Sequence, residues 1–549
     1  MSTKIPLIVP KRSFFNLSQG NITTFGFGEL IPTYYRDLLP GDHFKIKQSF
    51  SSRFLALLAP IMHKVRLCNS WFFVPYRLVW PHWEDFISPK DFLSTENTPA
   101  VPFADMTAGD VGDNSVFINT LVDYFDMASH YNADASSACY SNLFYIAAYR
   151  KIWNDFYRDQ NLQNELRFEL EDGENTPWWH EEYPDCIQPL ARAYHSDYFT
   201  SALPWTQKGN PVFIPFGIEV NTHANEIYLE ASNAMQAIDG TYDSNGVEIA
   251  NGSGAPNGTS VAHVRQSANP RRLRIMTYNV NGQVQYNDLW NIVGLDVTAG
   301  NGTATINDLR TALALQRWLE RNARGGTRYV EYIFAHFGVV SPDARLQRAE
   351  FIGGNETPIA ISEVLQTSQT SDTSPLGVPA GSAFSAGVNR PIYYHAKEHG
   401  MLICLTSLMF DNVYMSGQDR HNRKRDRFEF FTPSFANIGE QEIYTQELGS
   451  SSATDEVFGY APRYEEYRVA HNRVHGDMRD TLSYWHLARG FNRPRLNQAF
   501  IQSNNRSVTD RIFPYDQGTF PQFKQFLAQM WFDVKALRPV PKHGLPSIL

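Results

Sequence analysis

Between Ile306 and Pro358 the chain reads INDLRTALALQRWLERNARGGTRYVEYIFAHFGVVSPDARLQRAEFIGGNETP, and this stretch restricts the fold more than any other. Asn307 is a capping residue type, Asp308 falls in the first turn, and Leu309, Ala312, Leu313, Leu315 and Leu319 form a broad apolar face at helical spacing. Gly325 and Gly326 stop that helix, because glycine supplies positive φ without a Cβ penalty. A second helix carries Val330, Ile333, Phe334 and Phe337 at i, i+3, i+4 and i+7 and ends at Gly338. Ser341-Pro342-Asp343 then turns the chain away. The spacing predicts a helical hairpin over 307–338, followed by a loop bearing Arg345 and Arg348. No residue in it has a catalytic spacing. Arg345 and Arg348 are therefore candidates for contact with a neighbouring chain, with Trp318 or Phe337 buried.

A chain of 549 residues exceeds one ordinary core, so it holds several domains or one domain with greatly enlarged loops. Thirty-five glycines and thirty-one prolines, spread along the whole length, favour short strands and many turns over α/β alternation. The four cysteines, Cys68, Cys139, Cys186 and Cys404, form no CxxC pair, which argues against a disulfide scaffold or structural zinc. The prolines in MSTKIPLIVPKRSFF leave no signal-peptide core, and no apolar run elsewhere is long enough to cross a membrane, so no membrane insertion is expected. A net charge of −9 excludes a surface that grips nucleic acid everywhere, but it allows one basic face.

Taken in order, residues 1–40 read as an extended arm with little periodicity, and 41–549 as one domain. His43 to Lys47 alternates as a half-buried strand, and the aromatic run from Val65 to Val79 is a second strand. Residues 116–162 switch to helical spacing, with Leu143, Ile146, Ala147, Trp153 and Tyr157 on one stripe. Residues 222–306 are rich in Gly, Asn, Ser and Thr and read as a surface insertion. Strands return at Ile392–Ala396, Gly400–Phe410 and Arg427–Phe431.

Candidate chemistry is sparse. His395-Ala396-Lys397-Glu398-His399 matches an inverted zinc-peptidase pattern, which needs a helix. On the strand expected here the imidazoles would lie roughly 13 Å apart at about 3.3 Å per residue, too far for one metal. No catalytic group and no cofactor site is assigned. The densest basic run, Arg420 to Arg427, makes Arg420, Arg423, Lys424 and Arg425 candidates to face DNA phosphates, with Lys4, Lys11 and Arg12 on the arm as a second group. A solvated loop or an inter-subunit salt-bridge patch accounts for the run equally well.

The hairpin string LQRWLERNARGGTRYVEYIFAHFGVVSPDARLQRAEFIGG resembles, without gaps, a signature of the major capsid protein of microviruses, in particular the gokushovirus branch. FFVPYRLVWPHWEDF, AYRKIWNDFYRDQNL, GEQEIYTQELG, FGYAPRYEEYRVAHNRVHGDMRD and FNRPRLNQAF are also similar to that family, so the resemblance spans nearly the whole chain outside the insertion. It implies a mainly β fold, an eight-stranded antiparallel viral jelly roll with long loop and helical insertions. It further implies pentamers that close into an icosahedral shell, a circular single-stranded DNA genome, and a small basic DNA-packaging protein. The insertion would form protrusions at threefold axes. It lacks Lys and Arg from Asn221 to Val264 and from Ile275 to Leu309, which suits an outer surface touching a host receptor, with Tyr242, Tyr286 and Trp290 as contact candidates. The competing reading is a carbohydrate-binding or carbohydrate-cleaving jelly roll, which should carry a signal peptide and an enclosed carboxylate pair. A helical adaptor or portal protein would need more helix.

Overall fold

A computed structural model describes residues 11–88, 99–105, 118–127, 140–175, 185–212, 263–266, 273–278, 284–288, 306–326, 328–365, 379–449, 456–514 and 524–542. The chain divides into two compact units, Met1–Gly209 with Leu319–Leu549, and Asn210–Trp318. The smaller unit interrupts the larger one in sequence and includes the 222–306 insertion.

Two antiparallel sheets frame the larger unit. Their strands are β1 (Ser13–Asn16), β2 (Gln19–Phe25), β3 (Ile31–Leu38), β4 (His43–Phe54), β5 (Val65–Pro75) and β6 (Glu350–Pro358). They continue with β7 (Ala360–Leu365), β8 (Pro379–Val388), β9 (Ile392–His395), β10 (Gly400–Phe410) and β11 (Phe526–Arg538). One sheet has seven strands in the order β1-β11-β4-β8-β7, with β2 also beside β11 and β9 also beside β4; the other is β6-β5-β10-β3. The mainly antiparallel β framework is the expected one. The strands are more numerous than eight because short segments share an edge: β1 and β2 both pair with β11, and β8 and β9 both pair with β4.

The arm over 1–40 is corrected from residue 13 onward. β1 and β2 lengthen the seven-stranded sheet and β3 closes the other, so this segment is framework. Strand pairing overrode a weak local signal, because Gly20, Asn16 and Asn21 dilute the alternation. Arg427–Phe431 is likewise no strand. It contains a single 3-10 turn, Arg427–Glu429, held by the Glu429 carboxylate, which accepts from the backbone N–H of Asp426 at 3.1 Å.

Alternation in β4 and β11 sends Phe44, Ile46, Phe50, Met530, Phe532 and Val534 inward, where they meet Trp71, Phe73, Leu402 and Leu408 of the facing sheet. Phe532 lies 5.1 Å from Tyr34 and 5.7 Å from Trp71, ring centre to ring centre, in tilted and edge-on contacts. β10 is buried at every position because its other side is also covered. There Met401, Ile403 and Leu405 pack on helix α1 (Phe144–Ile152), which continues into a π-turn over Trp153–Tyr157. Tyr149 locks this helix down, donating to the Leu30 carbonyl and accepting from the Leu190 N–H, both at 2.8 Å. The smaller unit contains an antiparallel sheet of strands His263–Gln266, Leu273–Tyr278 and Val284–Asp288.

His63 ties the core to the C-terminal third. Its Nε2 faces the Asp411 carbonyl at 2.7 Å, and its Nδ1 accepts from the Leu487 N–H at 3.3 Å, which fixes a neutral ring. Burial lowers its pKa from 6.5 to about 4. The folded value lies below the unfolded one, so the unfolded chain takes up the proton first. This contribution to stability is complete above about pH 6.5 and is lost as pH falls toward 4. Denaturation midpoints measured from pH 7 to 4 should fall, and His63→Gln should flatten that acid limb.

Candidate functional site

Helix α2 (Ile306–Gly325) and helix α3 (Tyr329–Phe337) form the hairpin. α2 starts at Ile306, so Asn307 lies within the helix and does not cap it. Glycine lets the helices touch: a Cβ on Gly325 would sit 2.6 Å from the Ala335 Cβ, and Gly326 takes φ +92° in the turn. His336 Nε2 meets Asn322 Oδ1 at 2.7 Å, and Gly338 ends α3 in the left-handed region, its N–H bonded to the Phe334 carbonyl at 2.9 Å.

Arginines anchor the hairpin at its turn. Arg328 donates to the carbonyls of Asn154 at 2.9 Å and Arg158 at 2.8 Å, beside the π-turn, and to Glu331 at 2.9 Å. Arg324 pairs with Glu440 and donates to it at 2.8 Å through Nε. Burial draws the Arg324 pKa down to about 10. With the turn fixed by polar contacts, the apolar side chains of α3 point outward. Phe337 is 70% exposed, Phe334 60% and Val340 77%, and Ala323 is the buried residue of α2. The expected burial of Trp318 or Phe337 is therefore corrected for the single chain, since Trp318 too is 43% exposed. Contiguous aromatic and aliphatic surface of this kind marks a contact surface.

The two candidate arginines beyond the hairpin part company. Arg348 works within the chain: it donates to the Asp155 carbonyl at 2.6 Å, pairs with Asp343 at 3.3 Å and lies over the Phe156 ring at 4.6 Å. Arg345 is exposed, and its guanidinium has no partner among the described residues.

The run from Arg420 to Arg427 is largely neutralised from inside. Asp419 caps a short helical turn, accepting from the His421 N–H at 2.6 Å. That turn aims Arg420 into the interior, where it meets the buried Glu447 at 2.8 Å and donates to the Glu442 carbonyl at 2.8 Å. Glu447 also accepts from Tyr198 at 3.1 Å and from the Tyr444 N–H at 3.0 Å. Arg423 bonds Gln446 and stacks 4.5 Å over Tyr444. Lys424 pairs with Glu466 at 3.2 Å and lies 4.0 Å above the Tyr467 ring. Three of the four DNA-facing candidates in this run are thereby committed to internal partners, and Arg425 alone of the four stays exposed. The partners Gln446, Glu447 and Glu466 lie 23, 27 and 42 residues on in sequence from Arg423, Arg420 and Lys424, so local spacing held no sign of them.

On the arm, Lys11 is exposed and Arg12 Nη1 lies 3.0 Å from His43 Nε2. Lys4, Tyr242 and Trp290 lie outside the described residues, and for Tyr286 only its backbone place in Val284–Asp288 is described. The zinc-like pattern is dispersed. His395 stacks on His43 with ring centres 4.1 Å apart, and Glu398 accepts from Arg77 at 2.6 Å.

A two-sheet β framework that turns a helical hairpin's apolar face outward defines a protein that works by association. The chain belongs to the phage capsid protein (F protein) family, whose model matches residues 3–548. Capsid protein VP1 of Chlamydia phage 1 is 31% identical, over 100% of this chain and 97% of that protein. Capsid protein VP1 of Bdellovibrio phage phiMH2K is 32% identical over 99% and 97%, and that of Spiroplasma virus 4 is 30% identical over 98% and 95%. The resemblance to gokushovirus-like microviruses therefore holds along the whole chain. This is a major capsid protein, a self-assembling shell component of the virion. Among the described residues no helix is long and apolar enough to cross a membrane.

Proposed function

We propose that this chain builds a closed icosahedral shell from pentamers around a circular single-stranded DNA genome, and that the α2–α3 hairpin is a contact through which copies join. The observation that carries this reading is the outward apolar face of α3 and the segment after it, from Tyr329 to Val340. In a self-assembling chain the natural cover for such a face is another copy. Burying it removes roughly 25 cal/mol from the free energy per Å² of apolar surface, repeated at every symmetry-related contact. Arg345, exposed beside this face, supplies a polar rim. The net charge of −9 supports a separate small basic DNA-packaging protein as a partner, because the chain alone is a poor condenser of DNA. The segment 222–306, with its two stretches free of Lys and Arg, serves host attachment through Tyr242, Tyr286 or Trp290. Assembly takes place in the host cytoplasm. Phe334→Asp with Phe337→Asp should leave a folded chain, by circular dichroism, while sedimentation and electron microscopy show no particles. Wild-type particle yield from the double variant would refute the contact.

A further inference from the structure

The two sheets have unlike backs. The four-stranded sheet is covered behind by α1 and its aromatic neighbours. The back of the seven-stranded sheet is exposed, and the registers map it directly, since residues opposite one another share a face. One row across it runs Asn16, Lys535, Lys45, Tyr393. Others run Gly20, Trp531, Ser49, Val388 and, further along, Thr24, Leu527, Arg53, Phe384.

Lys45, Lys47, Arg53 and Lys535 are exposed on this face, and none pairs with a carboxylate among the described residues. Lys45 and Lys535 stand directly opposite each other, an arrangement that repels in an isolated sheet. The central carboxylate of this face, Asp533, stands opposite Lys47 but is half-buried and accepts from Ser18 at 3.2 Å. Between the cations stand aromatic rings open to solvent: Trp531 is 54% exposed and Tyr393 67%. Lys45 lies 5.6 Å over the Tyr393 ring and Arg53 5.7 Å over Phe384. This is the reverse of the 420–427 run, where Glu447 and Glu466 use up the positive charge. A second protein's apolar face would satisfy the rings and leave Lys45, Lys535 and Arg53 unpaired. A nucleic-acid duplex would satisfy the cations, but its base faces are hidden in the stack. A polyanion with open base faces satisfies both.

We infer that the exposed back of the seven-stranded sheet is a binding platform for single-stranded nucleic acid, with phosphates on Lys45, Lys535 and Arg53 and bases stacked on Trp531 and Phe384. Arg12, already placed among the arm candidates, stands at one end of the platform beside His43 and extends it. The inference rests on the proposed enclosure of a single-stranded genome and assigns the surface that meets it.

The test is fluorescence anisotropy of a labelled 20-nucleotide oligo(dT) with the full-length purified protein across a salt series. Removing Lys45, Arg53 and Lys535 together, each to Ala, should lower the slope of log affinity against log salt by about 2, at about 0.7 per phosphate lost. Trp531→Ala with Phe384→Ala should weaken oligo(dT) roughly tenfold or more at an unchanged salt slope, and leave a 20-base-pair duplex unaffected. Arg425→Ala with Arg427→Ala should match wild type. If wild type binds and both sheet variants bind equally well, the platform is wrong while genome enclosure stands. If wild-type particles hold no nuclease-protected nucleic acid, the enclosure itself is wrong. Sheet variants that keep oligo(dT) affinity but lose particle formation would overturn the platform by making this face a subunit contact.

Discussion

Arg420→Ala is expected to destabilise the chain by about 3–5 kcal/mol, the range seen when one partner of a buried ion pair is removed. Glu447 is the reason. It is 3% exposed, and with Arg420 gone its carboxylate keeps, among the described residues, the Tyr198 hydroxyl and the Tyr444 N–H. The Glu442 carbonyl would lose its donor at the same time. Replacing both partners, Arg420→Met with Glu447→Gln, should recover much of the loss, because neither site then holds an uncompensated charge. Arg425→Ala should stay within about 0.5 kcal/mol of wild type, as exposed positions usually do. Urea denaturation of the four proteins separates these outcomes. Equal, small losses for Arg420→Ala and Arg425→Ala would return the run to the solvated loop that its sequence suggests.

Gly325→Val should abolish particle formation while leaving the β framework folded. Even an alanine Cβ would stand 2.6 Å from that of Ala335, so the two helices must separate. Overpacking of this kind costs about 1–3 kcal/mol, and relief lies in splaying the hairpin, because its turn is held by Arg324 and Arg328 while Phe334 and Phe337 on its outer face are exposed. A splayed hairpin moves α3, and with it Phe334 and Phe337, away from its place against α2. The companion pair decides the cause: Gly325→Ala alone should reduce particle yield, and adding Ala335→Gly should restore it. Thermal unfolding should show the main transition within a few degrees of wild type throughout. If Gly325→Val particles form normally, close helix approach is not what assembly requires.

Much of the framework was legible because its residues report their own environment. MLICLTSLMF is apolar but for Thr406 and Ser407, as suits a strand covered on both faces, and β10 spans it. The 3.6-residue spacing around Leu309 and Phe334 gives two helices that meet at the glycines. The arm was misread because β1 and β2 are defined by the partner they share, β11, more than 500 residues away. β11 itself went unread: its burial alternates from end to end and places Trp531 and Lys535 outward, but Leu527, Trp531 and Leu537 are apolar on the outward side and blur the pattern in FLAQMWFDVKALR. The apolar face of the hairpin was visible, but its direction was not. Periodicity says that a helix has an apolar side and leaves open whether its own chain or another copy covers it. The basic run failed for the opposite reason. A cluster of charges reads as a free surface until the distant carboxylates are known, and Glu447 and Glu466 gave no local sign.

The central claim is that copies of this chain join through the outward face of the hairpin. A reconstruction of the assembled particle tests it most directly. The expected result is Phe334 and Phe337 buried against a neighbouring copy, with Arg345 at the rim of that contact. A particle in which both phenylalanines face solvent or the interior, with no neighbouring chain against α3, would contradict the account.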